Sequence, residues 1–376
     1  MQRYLFLFIS ILLNNFSFSQ VTDEGIIKAL NNYIEGTSYN VPGKIEKAFY
    51  SEADLFLQKK EQEIWKVPSK DYISWFSKGP EGSFNGRVGR ILFVEQSNDI
   101  AIAKAEILIP NRNVRYIDLF LLKRVSGQWK IISKSATASN THHTSKKVLF
   151  IVSNAHYYGT SDLTTGNSFS EIVIAYDTFI NAGFTVDFVS PDGGSIPLAY
   201  INTSHALHKK YIYDMDLMYA LKNTKTPEMI NPESYSAVQY IGGGSAMFGV
   251  PEDKNIQKMV MTIYEKHGGI VSSVCHGTAG IVYLKTSDGQ YLVKGKAVNG
   301  YPEDYERKEA AYFKQFPFLI RETIEQHGGN FKYSPRNSVH VEVDGRIITG
   351  QNHLSSKAVS EKIIEILAKK EAGSGR

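Results

Sequence analysis

The chain has a single cysteine, Cys275, which stands in "GGIVSSVCHGTAGIVYL", residues 268–284. One cysteine cannot close an internal disulfide, so the thiol is either inert or put to chemical use. "IVSSV" has the apolar run of a buried strand, and "HGTAGIVYL" reads as a helix starting right after Cys275. A tight strand-to-helix turn lifts a nucleophile to the carboxyl edge of a sheet, where open α/β sheets bind ligands. A helix N-terminus favours a thiolate, so a thiol pKa below the free value of about 8.5 is expected. His276, next in the chain, can act as base or acid on this thiol if its ring turns back towards the sulfur.

The residues around this turn predict how it is positioned. From Lys146 the chain alternates between strand and helix. "KVLFIVS" is a strand buried on both faces, "NSFSEIVIAYDTFINAG" a helix ending at Gly183, and "FTVDFVSP" the next strand. "YSAVQYIGGG" and the helix "DKNIQKMVMTIYEKHGG" come next. This rhythm predicts an α/β domain over residues 146–370, a mainly parallel sheet sandwiched by helices, with a tail at 371–376. Upstream, Ile26, Ile27, Leu30 and Tyr33 lie at helical spacing, and "KIEKAFY" and "KDYISWFSK" read as two shorter helices. Four strand-like runs come after them, "GRVGRILFVEQ", "DIAIAKAEILIP", "VRYIDLFLLKRVSG" and "QWKIISKSATA", so residues 21–137 are expected to form an α+β domain. Residues 138–145 read as a Ser/Thr-rich linker, in which His142 and His143 are taken as solvated and not as metal ligands.

The chain opens "MQRYLFLFISILLNNFSFSQ", with a basic residue, an apolar stretch from Tyr4 to Leu13, and then small polar residues. That is the order of an export signal, and it is shorter than the roughly 20 apolar residues of a spanning helix. Residues 1–20 are therefore expected to be cleaved and the protein to be periplasmic or secreted, with an uncleaved anchor as the alternative. N-terminal sequencing of the cell-derived protein should begin at Gln20 or Val21; an intact Met1 would overturn export. Net charge is +4, without any Lys/Arg block, so nothing favours a nucleic-acid partner. No later segment reads as a membrane span.

Residues 21–137, with "NNYIEGTSYN" and "IEKAFYSEADLF", resemble the nuclear-transport-factor-two-like, cone-shaped fold, including its SnoaL-like and lumazine-binding-like branches. "SVCHGTAG", together with "VLFIVSN", "YIGGGSAMFGVPED" and "DGRIITGQNHLSS", resembles the ThiJ/PfpI superfamily. The nearest branch is the heat-shock chaperone and glyoxalase III group. The resemblance implies a flavodoxin-like, class I glutamine-amidotransferase-like fold over residues 146–370. It also implies site residues. Glu171 matches an acidic residue pointing at the cysteine, where a carboxyl held against a thiolate has a raised pKa and can shuttle a proton. Gly243 and Gly244 match a glycine turn whose N–H groups, with that of His276, make an oxyanion hole. Glu306, in "YPEDYERKEA", falls near the acidic residue that orients the histidine, with Glu303 and Asp304 as rivals. Departures bear on substrate preference. "GGGSAMFG" has Gly244, Ser245 and Gly249 where the family commonly has histidine, glycine and aspartate, and His353 replaces a commoner proline.

The function implied is a cysteine-dependent enzyme acting on reactive carbonyls such as methylglyoxal, without glutathione, metal or cofactor, and assembled as a homo-oligomer, a dimer. Two alternatives remain. One is amide or peptide hydrolysis by the same thiol. The other is a non-enzymatic stress chaperone or redox sensor, in which the thiol becomes a sulfenic acid. A true glutamine amidotransferase is disfavoured, because no synthetase domain follows. The cone-like domain shows no nucleophile–base pair and is expected to bind or dimerise.

Overall fold

Asp23 caps the first helix, its carboxylate accepting the Gly25 N–H at 2.8 Å, and α1 (Glu24–Ser38) then buries Ile26, Leu30 and Tyr33 along one stripe. The computed structural model describes residues 22–59, 61–144 and 146–374, the last four by their backbone. The segment read as an export signal lies outside the described residues.

Helices α1, α2 (Pro42–Ala48) and α3 (Ser69–Ser74) pack on one face of a six-stranded sheet. Its strands are β1 (Phe49–Lys59), β2 (Gln62–Pro68), β3 (Val88–Ser97), β4 (Ile100–Ile109), β5 (Val114–Val125) and β6 (Gln128–Asn140), in the order β2-β1-β6-β5-β4-β3. The last four are the meander expected from the sequence. The first two are not: "FYSEADLFLQK" forms β1, parallel to β6, and its burial alternates poorly. Strand β6 also runs on to Asn140, which pairs with Val114, so the first three residues read as linker belong to the sheet. Inside the cone, Lys134 pairs with Asp118 at 3.0 Å, and Asp118 also accepts the Tyr33 hydroxyl at 2.6 Å. Both charges are buried and mutually satisfied, as buried charges must be.

The second sheet holds β7 (Lys147–Ile151), β8 (Thr185–Val189), β9 (Tyr235–Tyr240), β10 (Ile270–Val274), β11 (Val341–Asp344) and β12 (Ile347–Gly350). The order is β11-β12-β10-β9-β7-β8, parallel throughout except for the antiparallel edge strand β11. Val148, Leu149, Phe150 and Ile151 are all buried, the continuous apolar run of a strand covered on both faces. Helix α4 (Phe169–Asn181) and the C-terminal helix α5 (Ser356–Ser374) pack together on one face. Helix α5 therefore runs through most of the segment read as a tail. Lys104 on β4 reaches Asp216 at 2.7 Å, and Phe93 on β3 meets Tyr219 edge-to-face, so one helix of the second unit, Met215–Lys222, docks on the first sheet.

Candidate active site

Strand β10 ends at Val274, and Cys275 follows with φ of +58°. A non-glycine residue in the left-handed region is held there against its own preference, as at other strained nucleophile turns. The chain continues from this turn as a seven-residue 3₁₀ run, Cys275–Ile281, and not as the expected α-helix. Two glycines in seven residues and no side-chain cap at Val274 disfavour an α-helical start. The glycines serve close docking: a Cβ on Gly277 would lie 2.5 Å from the Tyr240 carbonyl oxygen of β9.

Behind the sulfur stands Glu171, in the first turn of α4, whose N-cap Ser168 accepts the Glu171 N–H. The carboxyl is buried, accepts the Gly242 N–H at 2.7 Å, and lies beside Cys275 against the same glycine. Burial raises its pKa to about 8, outweighing the Gly242 hydrogen bond, so the carboxyl keeps its proton at neutral pH. The thiol is raised as well, first by burial and then by the charge Glu171 would carry if ionised; the His276 N–H donated to the sulfur opposes this. The low thiol pKa expected from a helix N-terminus is therefore corrected. The α-helix is absent, and desolvation of the thiolate dominates.

His276 does turn back. Its Nδ1 lies 3.5 Å from Cys275 Sγ, and its Nε2 lies 2.6 Å from Glu306 Oε1. The Tyr312 hydroxyl donates to the other Glu306 oxygen at 2.9 Å. Burial works against the Glu306 charge, but His276 and Tyr312 together hold the carboxyl below its ordinary range. The rivals are engaged elsewhere, since Arg321 takes both Glu303 and Asp304. The geometry thus brings Cys275, Glu171, His276 and Glu306 together.

Gly243, with φ of +100°, lines the cleft, and a Cβ there would lie 2.4 Å from the Gly166 oxygen, so only glycine fits. Gly244 sits behind it, where a Cβ would strike the Tyr158 hydroxyl at 2.3 Å, and it is not part of the cleft wall. The cleft encloses about 810 Å³. Sequence reasoning missed most of its lining residues, among them Tyr158, Tyr301, Tyr312 and Arg336. The Tyr301 ring lies 4.8 Å from the His276 ring and fixes its plane. All four sit in irregular segments, where no periodicity could single them out. His353 also lines the cleft. His142 is exposed, as expected, with its Nε2 3.0 Å from the Asn181 carbonyl oxygen, whereas His143 is half-buried. Among the described residues, no group of three or more His, Cys, Asp or Glu is placed to hold a metal.

The DJ-1/PfpI family model matches residues 163–366, and a lumazine-binding family model matches residues 21–135. The glutathione-independent glyoxalase hsp3102 of Schizosaccharomyces pombe is 28% identical over 242 residues, 59% of this chain and 98% of that protein. The crystal structure of glyoxalase III from Candida albicans matches with a TM-score of 0.54 at 26% identity, over 59% of this chain and 97% of that one. The Rapid Encystment Protein of Francisella tularensis matches with a TM-score of 0.55 at 27% identity, over 58% of this chain and 98% of that one.

Proposed function

The chain belongs to the DJ-1/PfpI family, and from that membership, the apolar N-terminal stretch and the single thiol together, we propose that it is an exported, cysteine-dependent enzyme converting 2-oxoaldehydes to 2-hydroxy acids without glutathione. Its relatives at this identity are glutathione-independent glyoxalases. The observation that carries the reading is Glu171, a carboxyl buried against the same glycine as the chain's single thiol, where burial raises its pKa to about 8. Acyl transfer by a Cys–His–Glu line has no use for such a fourth group, whereas moving hydrogen between adjacent carbons requires one.

Each proton then has a place. His276 takes the thiol proton as Cys275 Sγ bonds to the aldehyde carbon, and Glu306 stabilises the imidazolium. Glu171 gives its proton to the former carbonyl oxygen, assisted by the N–H of Gly243, and the product is a hemithioacetal. The resulting carboxylate removes the hydrogen from that carbon, forming an enediolate, and returns it to the neighbouring carbon. The hydroxyl proton of the first carbon passes to the second oxygen, leaving a thioester. Water cleaves the thioester, His276 reprotonates the sulfur, Glu171 regains its proton, and the hydroxy acid leaves with release of one proton.

Methylglyoxal supplied without glutathione is expected to yield lactate, and in D₂O part of that lactate should carry deuterium at C2, because the transferred hydrogen visits an exchangeable carboxyl. Product analysis by NMR checks this. Absence of lactate would sink the reading, and lactate wholly free of solvent deuterium would replace the enediolate by a direct hydride shift.

A further inference from the structure

The cleft is far larger than a three-carbon dicarbonyl needs and falls in the range of sites for much bigger ligands. Its wall also carries two arginines, Arg307 and Arg336. Both are exposed, and among the described residues neither makes an ion pair. Nearby carboxylates are committed, Glu306 to His276 and Tyr312, and Glu303 and Asp304 to Arg321. With Glu171 protonated, the mouth of the cleft carries excess positive charge at neutral pH.

Arg336 is not a loose surface side chain. Its Nε donates to the Tyr301 hydroxyl at 2.9 Å, and Tyr301 packs on the ring of His276. The loop that carries it is tied down by two buried amides of "GQNH". Gln351 Nε2 donates to the Pro335 carbonyl oxygen at 3.2 Å, and Asn352 Nδ2 donates to those of Arg336 and Ser338, both at 2.9 Å. Arg307 follows Glu306 directly, its guanidinium lies over the Tyr312 ring, and its N–H donates to the Tyr312 hydroxyl. Both guanidinium groups therefore touch the tyrosines around His276, Arg336 through Tyr301 and Arg307 through Tyr312.

Resting on the carbonyl reading above, we propose that the substrate carries an oxyanion, a carboxylate or a phosphate, which Arg336 and Arg307 hold while its aldehyde carbon meets Cys275. Guanidinium groups bind both anions through paired N–H donors, and a charged hydrogen bond of this kind changes affinity by about 10- to 100-fold.

Two measurements on the full chain and on the double variant Arg307→Gln/Arg336→Gln test this. The first compares kcat/KM for methylglyoxal with that for 3-phosphooxy-2-oxopropanal, the same dicarbonyl bearing a phosphate. The second compares the rates at which iodoacetate and iodoacetamide alkylate Cys275, which depend on the charge at the mouth and not on the carbonyl reaction. In the double variant, the phosphorylated-to-neutral ratio and the iodoacetate-to-iodoacetamide ratio should each fall by at least about 10-fold. A fall in the first ratio alone assigns the site to phosphate, and a fall in the second alone to carboxylate. Both ratios unchanged overturns the anion site, and if neither reagent reaches the thiol the first ratio decides alone. Alkylation ratios that fall while no dicarbonyl is turned over would sink the carbonyl reading and leave the anion site standing.

Discussion

Replacing Cys275 by alanine is expected to lower carbonyl turnover by at least about 10⁴-fold, because the sulfur forms the bond through which every later step passes. The chain holds no second thiol to substitute for it. The fold should survive: the side chain is small, alanine keeps the Cβ, and the backbone at φ +58° is no worse for alanine than for cysteine. Circular dichroism and a denaturant midpoint will show whether the variant is folded while turnover is measured. The same variant separates the enzyme from a holdase. Suppression of client aggregation should be unaltered by Cys275→Ala if it rests on surface alone. Retained turnover in a folded Cys275→Ala protein would end the nucleophile assignment.

Glu171→Gln should have opposite effects on activity and stability. Turnover should fall by at least about 100-fold, the low end for a positioned acid–base group, because an amide can neither release nor accept the transferred hydrogen. Stability should rise. The Glu171 carboxyl has a pKa of about 8 in the folded chain against an ordinary 4.5, so between those values the folded state binds a proton that the unfolded state has lost. A raised folded pKa gives stability that is complete below the unfolded value and is lost as pH climbs towards the folded value. At about 1.4 kcal/mol per pH unit, wild type should lose roughly 3–4 kcal/mol between pH 5 and pH 8. The glutamine variant keeps an acceptor for the Gly242 N–H and has no titration, so its share of that loss should vanish. Cys275, also raised, adds a loss only above the ordinary thiol range. Urea midpoints of both proteins at pH 5 and pH 8 check the prediction. Parallel pH profiles would mean that Glu171 is ionised in the folded protein.

Much of the second sheet was legible in the sequence because β7, β9 and β10 are short apolar runs bounded by glycine or polar turns, and one of them delivers Cys275 to its edge. The β1–β2 hairpin was not, because "KIEKAFYSEADLFLQKK" carries helical spacing into a strand whose exposed positions mix polar, charged and aromatic residues. In the site, the Cys275–His276 dipeptide states its chemistry by adjacency. The choice among Glu303, Asp304 and Glu306 could not be made from spacing, since all three share one irregular turn and only side-chain direction separates them. Arg336 and Tyr312 were invisible for the same reason: loops held by Gln351, Asn352 and Glu306 bring them in from distant stretches of chain.

The left-handed backbone at Cys275 also sets a limit on engineering. That conformation suits glycine best, and a non-glycine residue there costs of order 1–3 kcal/mol. Glu171 would likewise sit more comfortably as an uncharged amide. An optimiser rewarding only thermal robustness would choose Gly at 275 and Gln at 171 among its first edits, and would return a sturdier but inert protein. Directed evolution of this scaffold should therefore freeze both positions and seek robustness elsewhere, for example in the cone-shaped unit remote from the thiol.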